Sequence, residues 1–196
     1  MLGPPVDFPS GGGSFSLTRG VFLDPPDLCT RAMRTLLTAL PHHLRASGAQ
    51  PRIIAVSSSG LGEAGNKALP LVHRIAYPLL IDAPHRDKLG LEVVLSRASG
   101  HLDKWISSSQ PIAPNVLSAG WDRAAGLPSA GELPNAVLIR PAWLTDGPVT
   151  EKYRVVDGQG DRKCKTVSRN DVAHFIAEQV VLRWEHWQGK AVTLAN

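Results

Sequence analysis

The apolar positions fall into two kinds of pattern. Short unbroken runs occur at Arg52-Ile-Ile-Ala-Val56 and Asn135-Ala-Val-Leu-Ile-Arg140, with shorter ones at Tyr153-Arg-Val-Val156 and Ala191-Val-Thr-Leu194. The first two read as strands covered on both faces, as in a parallel sheet, and 153–156 as an edge strand. Helix-spaced stripes lie between them. Leu28, Met33, Leu36, Leu37 and Leu40 predict a helix over 27–39 with Asp27 as its cap. Pro41 interrupts that stripe, and His42–Ala46 resumes it after a kink. A helix entered at Pro70 with a break near Pro78 is expected. Another starts at Asp82, with Pro84 in its first turn and Leu91, Val94 and Leu95 on its apolar face. Ser168-Arg-Asn-Asp171 reads as a capping box with Asp in place of Glu, followed by the stripe Val172, Phe175, Ile176 and Val180.

The remaining segments are punctuation. Residues 1–26 are dense in Gly and Pro and are expected to form a loop or disordered tail. Residues 99–134, rich in Ser, Pro and Gly, read as a long surface excursion with one helical turn around Trp105. Strands alternating with helices predict an α/β fold, and ligands in such sheets bind outside the carboxyl ends of the strands. That rule points to Ser57–Gly60 and Arg140–Leu144.

Composition narrows the class. A chain of 196 residues with 43% hydrophobic residues fits one globular domain. No run of apolar residues is long enough for a spanning helix, and residues 1–5 show no secretory pattern. Cys29 and Cys164 make neither a disulfide framework nor a zinc site, and a cytoplasmic setting is expected. The formal charge of +4 is scattered, and Arg162-Lys163-Cys164-Lys165 reads as a solvated loop rather than a nucleic-acid footprint. The seven histidines lack zinc spacing, and the G-x-S-x-G elbow of serine hydrolases is absent.

Gly60-Leu-Gly62-Glu-Ala-Gly65 satisfies G-x-G-x-x-G between a strand and a helix, and Asp82 lies about where a ribose-binding acid belongs. A flexible strand-to-helix loop, with Asp82 as a helix cap, accounts for the same residues.

Several phrases taken in order resemble one family: Leu36–Leu40, Arg52–Gly60, Asp87-Lys88 with Glu92, Val137–Gly147, and Ser168-Arg169 followed by Asp171-Val-Ala173. They resemble the NmrA-like and flavin-reductase-like branch of the atypical short-chain dehydrogenase/reductases, over most of residues 21–196. The resemblance implies a Rossmann-like, doubly wound parallel sheet, here partial. Met1–Pro5 resembles the loop after the fourth strand of that fold. The resemblance therefore implies a chain truncated at its dinucleotide-binding half, with Gly60–Gly65 away from the pyrophosphate. It further implies NADP or NAD as cofactor and a small carbonyl, quinone or flavin-like substrate. Non-catalytic NAD(P)-sensing is the alternative.

By the same resemblance, Ser57, Ser58 and Ser59 stand where the superfamily places its substrate-polarising serine, and Ser58, Ser59 and Lys88 are the catalytic candidates. Gly3, Pro4, Ser57, Ser58, Lys88, Pro141, Ala142 and Leu144 would border the cofactor. The superfamily's Tyr-x-x-x-Lys pair is absent, and Tyr77 reads as a core residue. Lys88 has a simpler reading as a solvated lysine paired with Glu92 one turn on. Arg140 either binds substrate or pairs with an acid.

Overall fold

The computed structural model describes residues 12–16, 20–46, 48, 50–61, 82–106, 112–160 and 163–196. Its centre is a four-stranded sheet of β3 (Ile53–Val56), β4 (Ala136–Pro141), β8 (Ala191–Ala195) and β6 (Arg154–Asp157), in that order. The first three strands are parallel, and β6 runs antiparallel along β8. The two apolar runs and the last short run are thus the parallel strands, and 154–157 is the edge strand expected.

Side chains alternate across the sheet with period two. Ala136 and Leu138 join Ile53, Ala55 and Ala191 on one face, whereas Val137 and Ile139 join Val192 and Leu194 on the other. The first face is covered by α1 (Leu28–Ala39) and α3 (Asp82–Ser99). The second is covered by α5 (Arg169–His174), which continues as a π-helix over Phe175–Val181, and by α6 (Trp184–Trp187). The result is a three-layer α/β sandwich. β4 is buried along its whole length; β3 is not, because Val56 at its end is 44% exposed.

α1 and α3 meet at a glycine. A Cβ on Gly90 would overlap Thr30 and Val116, so the absence of a side chain sets this close approach. The α1 stripe ends as the pattern predicts, and α2 (His42–Arg45) follows Pro41 as a separate turn. Buried Arg45 folds back and donates to the carbonyls of Leu37, Thr38 and Leu40, and to Gly126. It thereby satisfies the open carbonyl end of α1.

The structure corrects several expectations. Within the segment expected to be loop or tail, β1 (Gly12–Ser16) and β2 (Gly20–Asp24) form an antiparallel hairpin. Glycine is excluded from a central strand by its weak propensity, not from a two-stranded ribbon. Asp27 precedes α1 but its side chain makes no capping bond, pairing with Arg31 instead. The 99–134 excursion is more than surface. Trp105 of α4 (Leu102–Trp105) and, beyond that helix, Val116, Leu117 and Leu133 pack into the first core. Two short strands, β5 (Trp143–Thr145) and β7 (Thr166–Ser168), pair in parallel, which no apolar run announced. Cys164 is buried against the second core rather than exposed in a basic loop. The helix expected from Pro70, Tyr77, Gly62, Gly65, Gly3 and Pro4 lie outside the described residues.

Candidate functional site

The carboxyl ends of β3 and β4 meet because the β3–β4 ladder runs past the strands. The Ser57 amide donates to Ile139 O at 2.7 Å, and the Ser59 amide donates to Pro141 O at 2.9 Å. Ala142 N donates to Leu194 O at 2.8 Å, which ties the end of β4 to β8. Gly60 then turns the chain with φ +79°, a conformation side chains disfavour. Ser57 and Ser59 are thus held against Ile139 and Pro141 by backbone bonds, with Ser58 between them.

Those side chains differ. Ser58 Oγ donates to the neighbouring Ser59 carbonyl at 3.2 Å, a local loop bond. Ser57 is 3% exposed, yet its Oγ has no hydrogen-bond partner among the described residues. A buried hydroxyl without a partner costs roughly 1–3 kcal/mol, so such an atom marks a place where a ligand group or water completes the bonding. Ser59 is buried, and its amide rather than its hydroxyl is what the ladder uses.

Lys88 reaches the same place from the second turn of α3, where its Nζ donates to Ser57 O at 3.3 Å. The expected partner, Glu92, is turned away. It forms a fork with Arg140, with bonds of 3.1 Å from Nε to Oε1 and 2.7 Å from Nη2 to Oε2. Both side chains are buried, at 1% and 0% exposure, and Arg140 Nη2 also donates to Trp105 O at 2.9 Å. Arg140 is therefore an ion-paired residue of the strand. A charged residue inside a buried run was the signal for it, since such a charge requires a buried counter-charge.

His85 stands one turn before Lys88. Burial, helped by the Lys88 charge, pushes its imidazole down from 6.5 to about 4, against a small pull from Asp82. Pro141 and Ala142 are buried at the strand end. Beyond them the chain emerges, with Trp143 58% and Leu144 37% exposed on β5. The structure therefore brings together Ser57, Ser58, Ser59, Lys88, Pro141 and Ala142, with Leu144 at the rim.

A second polar cluster, of which only the Ser168–Asp171 cap is legible in the sequence, fixes the loop after β5. Ser168 Oγ caps α5 by accepting from Asp171 N at 2.9 Å. The capping box is not reciprocal. The Asp171 carboxylate accepts instead from Thr150 N, Thr150 Oγ1 and Glu151 N. Burial raises the cost of its charge, but these bonds and that from Ser168 outweigh it and hold the carboxyl below its usual range. Glu151, next in that loop, has φ +58°. Tyr153 OH and His174 Nδ1 lie 2.8 Å apart, with Glu151 3.7 Å from His174 Nε2.

Residues 134–181, from the start of β4 through the helix capped by Ser168, match the family described as NAD(P)H-binding. The chain has a Rossmann-like fold, and within it this segment is similar to NAD(P)H-binding proteins. Over 181 residues this Rossmann-like chain is 29% identical to the reductase pytE of Aspergillus terreus, covering 88% of the chain and 59% of that protein. A short-chain dehydrogenase/reductase of Veillonella parvula has the same fold, with a TM-score of 0.51 at 16% identity over 85% of this chain and 58% of that one. The structure of a short-chain dehydrogenase/reductase from the same organism in complex with NADP gives 0.50 at 15% identity, over 88% and 66%. The Rossmann-like chain thus spans about three-fifths of the length of the reductase it matches. These likenesses bear out the Rossmann-like fold that the resemblance read from the sequence implied. Among the described residues, no helix is long and apolar enough to cross a membrane.

Proposed function

We propose that the carboxyl edge of β3 and β4 forms the nicotinamide and substrate side of an NAD(P)H-dependent reductase. The substrate class is a small carbonyl, quinone or flavin-like molecule. The observation that carries this reading is Ser57: a buried hydroxyl with no partner among the described residues, whose own carbonyl holds the Lys88 ammonium. The donor set fits the ribose-nicotinamide end of the cofactor. Lys88 offers a cation to the ribose hydroxyls, and Pro141–Ala142 offers a backbone edge beside the ring. Bound there, the cofactor supplies the hydride. Ser57 Oγ donates a hydrogen bond to the substrate oxygen as negative charge develops on it. The exposed Trp143 and Leu144 give the mouth an apolar rim suited to a flat substrate.

The second reading is an NAD(P)-sensing module without turnover. It is favoured by Pro84, which stands four positions before Lys88, where the superfamily's tyrosine would be.

The test is titration with NADPH and NADH, following nucleotide fluorescence and melting temperature together. Micromolar binding with a rising melting temperature supports the site. K88M should then weaken binding about tenfold, roughly 1.4 kcal/mol. S57A should lower turnover of a quinone or carbonyl panel while leaving nucleotide affinity within about twofold, the pattern of a transition-state contact. Binding with no oxidation across the panel selects the sensor. No binding at millimolar nucleotide overturns both readings.

A further inference from the structure

Apolar packing holds α3 on the sheet, but apolar contacts are non-directional and do not by themselves fix how a helix is rotated or slid along its axis. The directional contact between α3 and β4 is the buried fork of Glu92 and Arg140. Its two ends sit one step from the candidate site on each side. Glu92 lies one turn after Lys88 on α3, and Arg140 immediately precedes Pro141, the last residue of β4, and Ala142 beyond it. We infer that Glu92 and Arg140 are positioning residues: their ion pair sets the register of α3 against β4, and so holds Lys88 on the Ser57 carbonyl beside the Pro141–Ala142 edge. This inference rests on the proposed cofactor site for its functional meaning, but its structural claim stands on its own.

Three features support a registering role over a merely stabilising one. Buried ion pairs add little net stability compared with apolar residues of similar volume, and their best-attested use is to specify register. The geometry is bidentate, which a guanidinium fork enforces and an ammonium does not. The third Arg140 contact, to the carbonyl of Trp105, ties the same guanidinium to α4, directly after α3. The Lys88 side chain has a flexible four-carbon stem and, among the described residues, a single weak bond of 3.3 Å, so its place depends on where α3 puts its Cα.

The experiment compares the parent with E92L/R140M, and with R140K as a second variant that keeps the charge and loses the fork. The first readout is the rate of Lys88 acetylation by acetic anhydride, followed by peptide mass spectrometry. It requires no nucleotide. Release of Lys88 from Ser57 should speed labelling about tenfold in either variant, while the urea midpoint of E92L/R140M stays near the parent's. The second readout is a cycle with K88M. If the pair acts through Lys88, E92L/R140M weakens NADPH binding about tenfold in the parent and adds nothing in the K88M background. Unchanged Lys88 labelling in a folded variant, or losses that add independently of Lys88, overturns the inference. Absence of NADPH binding by the parent overturns the cofactor reading, and the labelling rates then decide the positioning claim alone. If E92L/R140M does not fold, the R140K labelling rate decides.

Discussion

Asp87 caps a helix to which it does not belong. From the first turns of α3 its carboxylate accepts from the amides of Cys29 and Thr30, at 2.7 and 2.8 Å, in the opening turn of α1. Thr30 returns the contact by donating its hydroxyl to the Asp87 carbonyl at 2.7 Å. A carboxylate at a helix N-terminus satisfies open amides and complements the helix dipole. D87A should therefore destabilise the fold by roughly 2–3 kcal/mol, a lost cap plus two buried amides without partners. D87N, which keeps one acceptor oxygen, should recover part of the loss. Urea unfolding of the two variants checks this, and equal stability of D87A and the parent would show that water replaces the cap.

His85 gives stability a dependence on mild acid. Its pKa falls from 6.5 in the unfolded chain to about 4 when folded, chiefly through burial. Between those values the unfolded chain binds the extra proton, so stability is present above pH 6.5 and declines as pH falls toward 4. The loss is on the order of 2–3 kcal/mol. H85N should flatten that slope in urea midpoints taken from pH 7.5 to 4.5.

Asp171 acts lower on the scale. Its folded pKa is depressed, so its contribution is complete above the ordinary carboxylate value of 3.8 and is lost as pH falls through the folded value. D171N should cost about 2 kcal/mol at pH 7, the worth of charge-assisted bonds to Thr150 and Glu151. That deficit should shrink in stronger acid, when the parent's carboxyl is itself protonated. Limited proteolysis at pH 7 should also find the loop around Thr150 opened in the variant.

The thiols should both be slow. Burial, then the Asp87 charge and its hydrogen bond, push Cys29 up to about 11. Cys164 is 5% exposed, within reach of the Arg154 guanidinium. A disulfide reagent at pH 8 should label neither within minutes and both once urea unfolds the chain. Rapid labelling of Cys164 alone would show that its loop opens in the native state.

The layered frame is legible in the apolar pattern of the chain. The apolar runs at 52–56 and 135–140 read as sheet interior and 191–194 as a short strand, and the stripes of α1 and α5 had to face the sheet, because burial follows local period. The resemblance carried by Arg52–Gly60, Asp87-Lys88 and Val137–Gly147 pointed to the candidate site on that frame. Which polar groups pair came from packing in three dimensions. Spacing along α3 offered Glu92 to Lys88, and Asp27 was the local candidate to cap α1. Packing gave Glu92 to Arg140, 48 positions away, and the cap to Asp87. The β5–β7 pair and the burial of Cys164 are of the same kind. A buried polar group must find a partner wherever the fold brings one within 3 Å, and helix rotation against the sheet sets that, not neighbours along the chain.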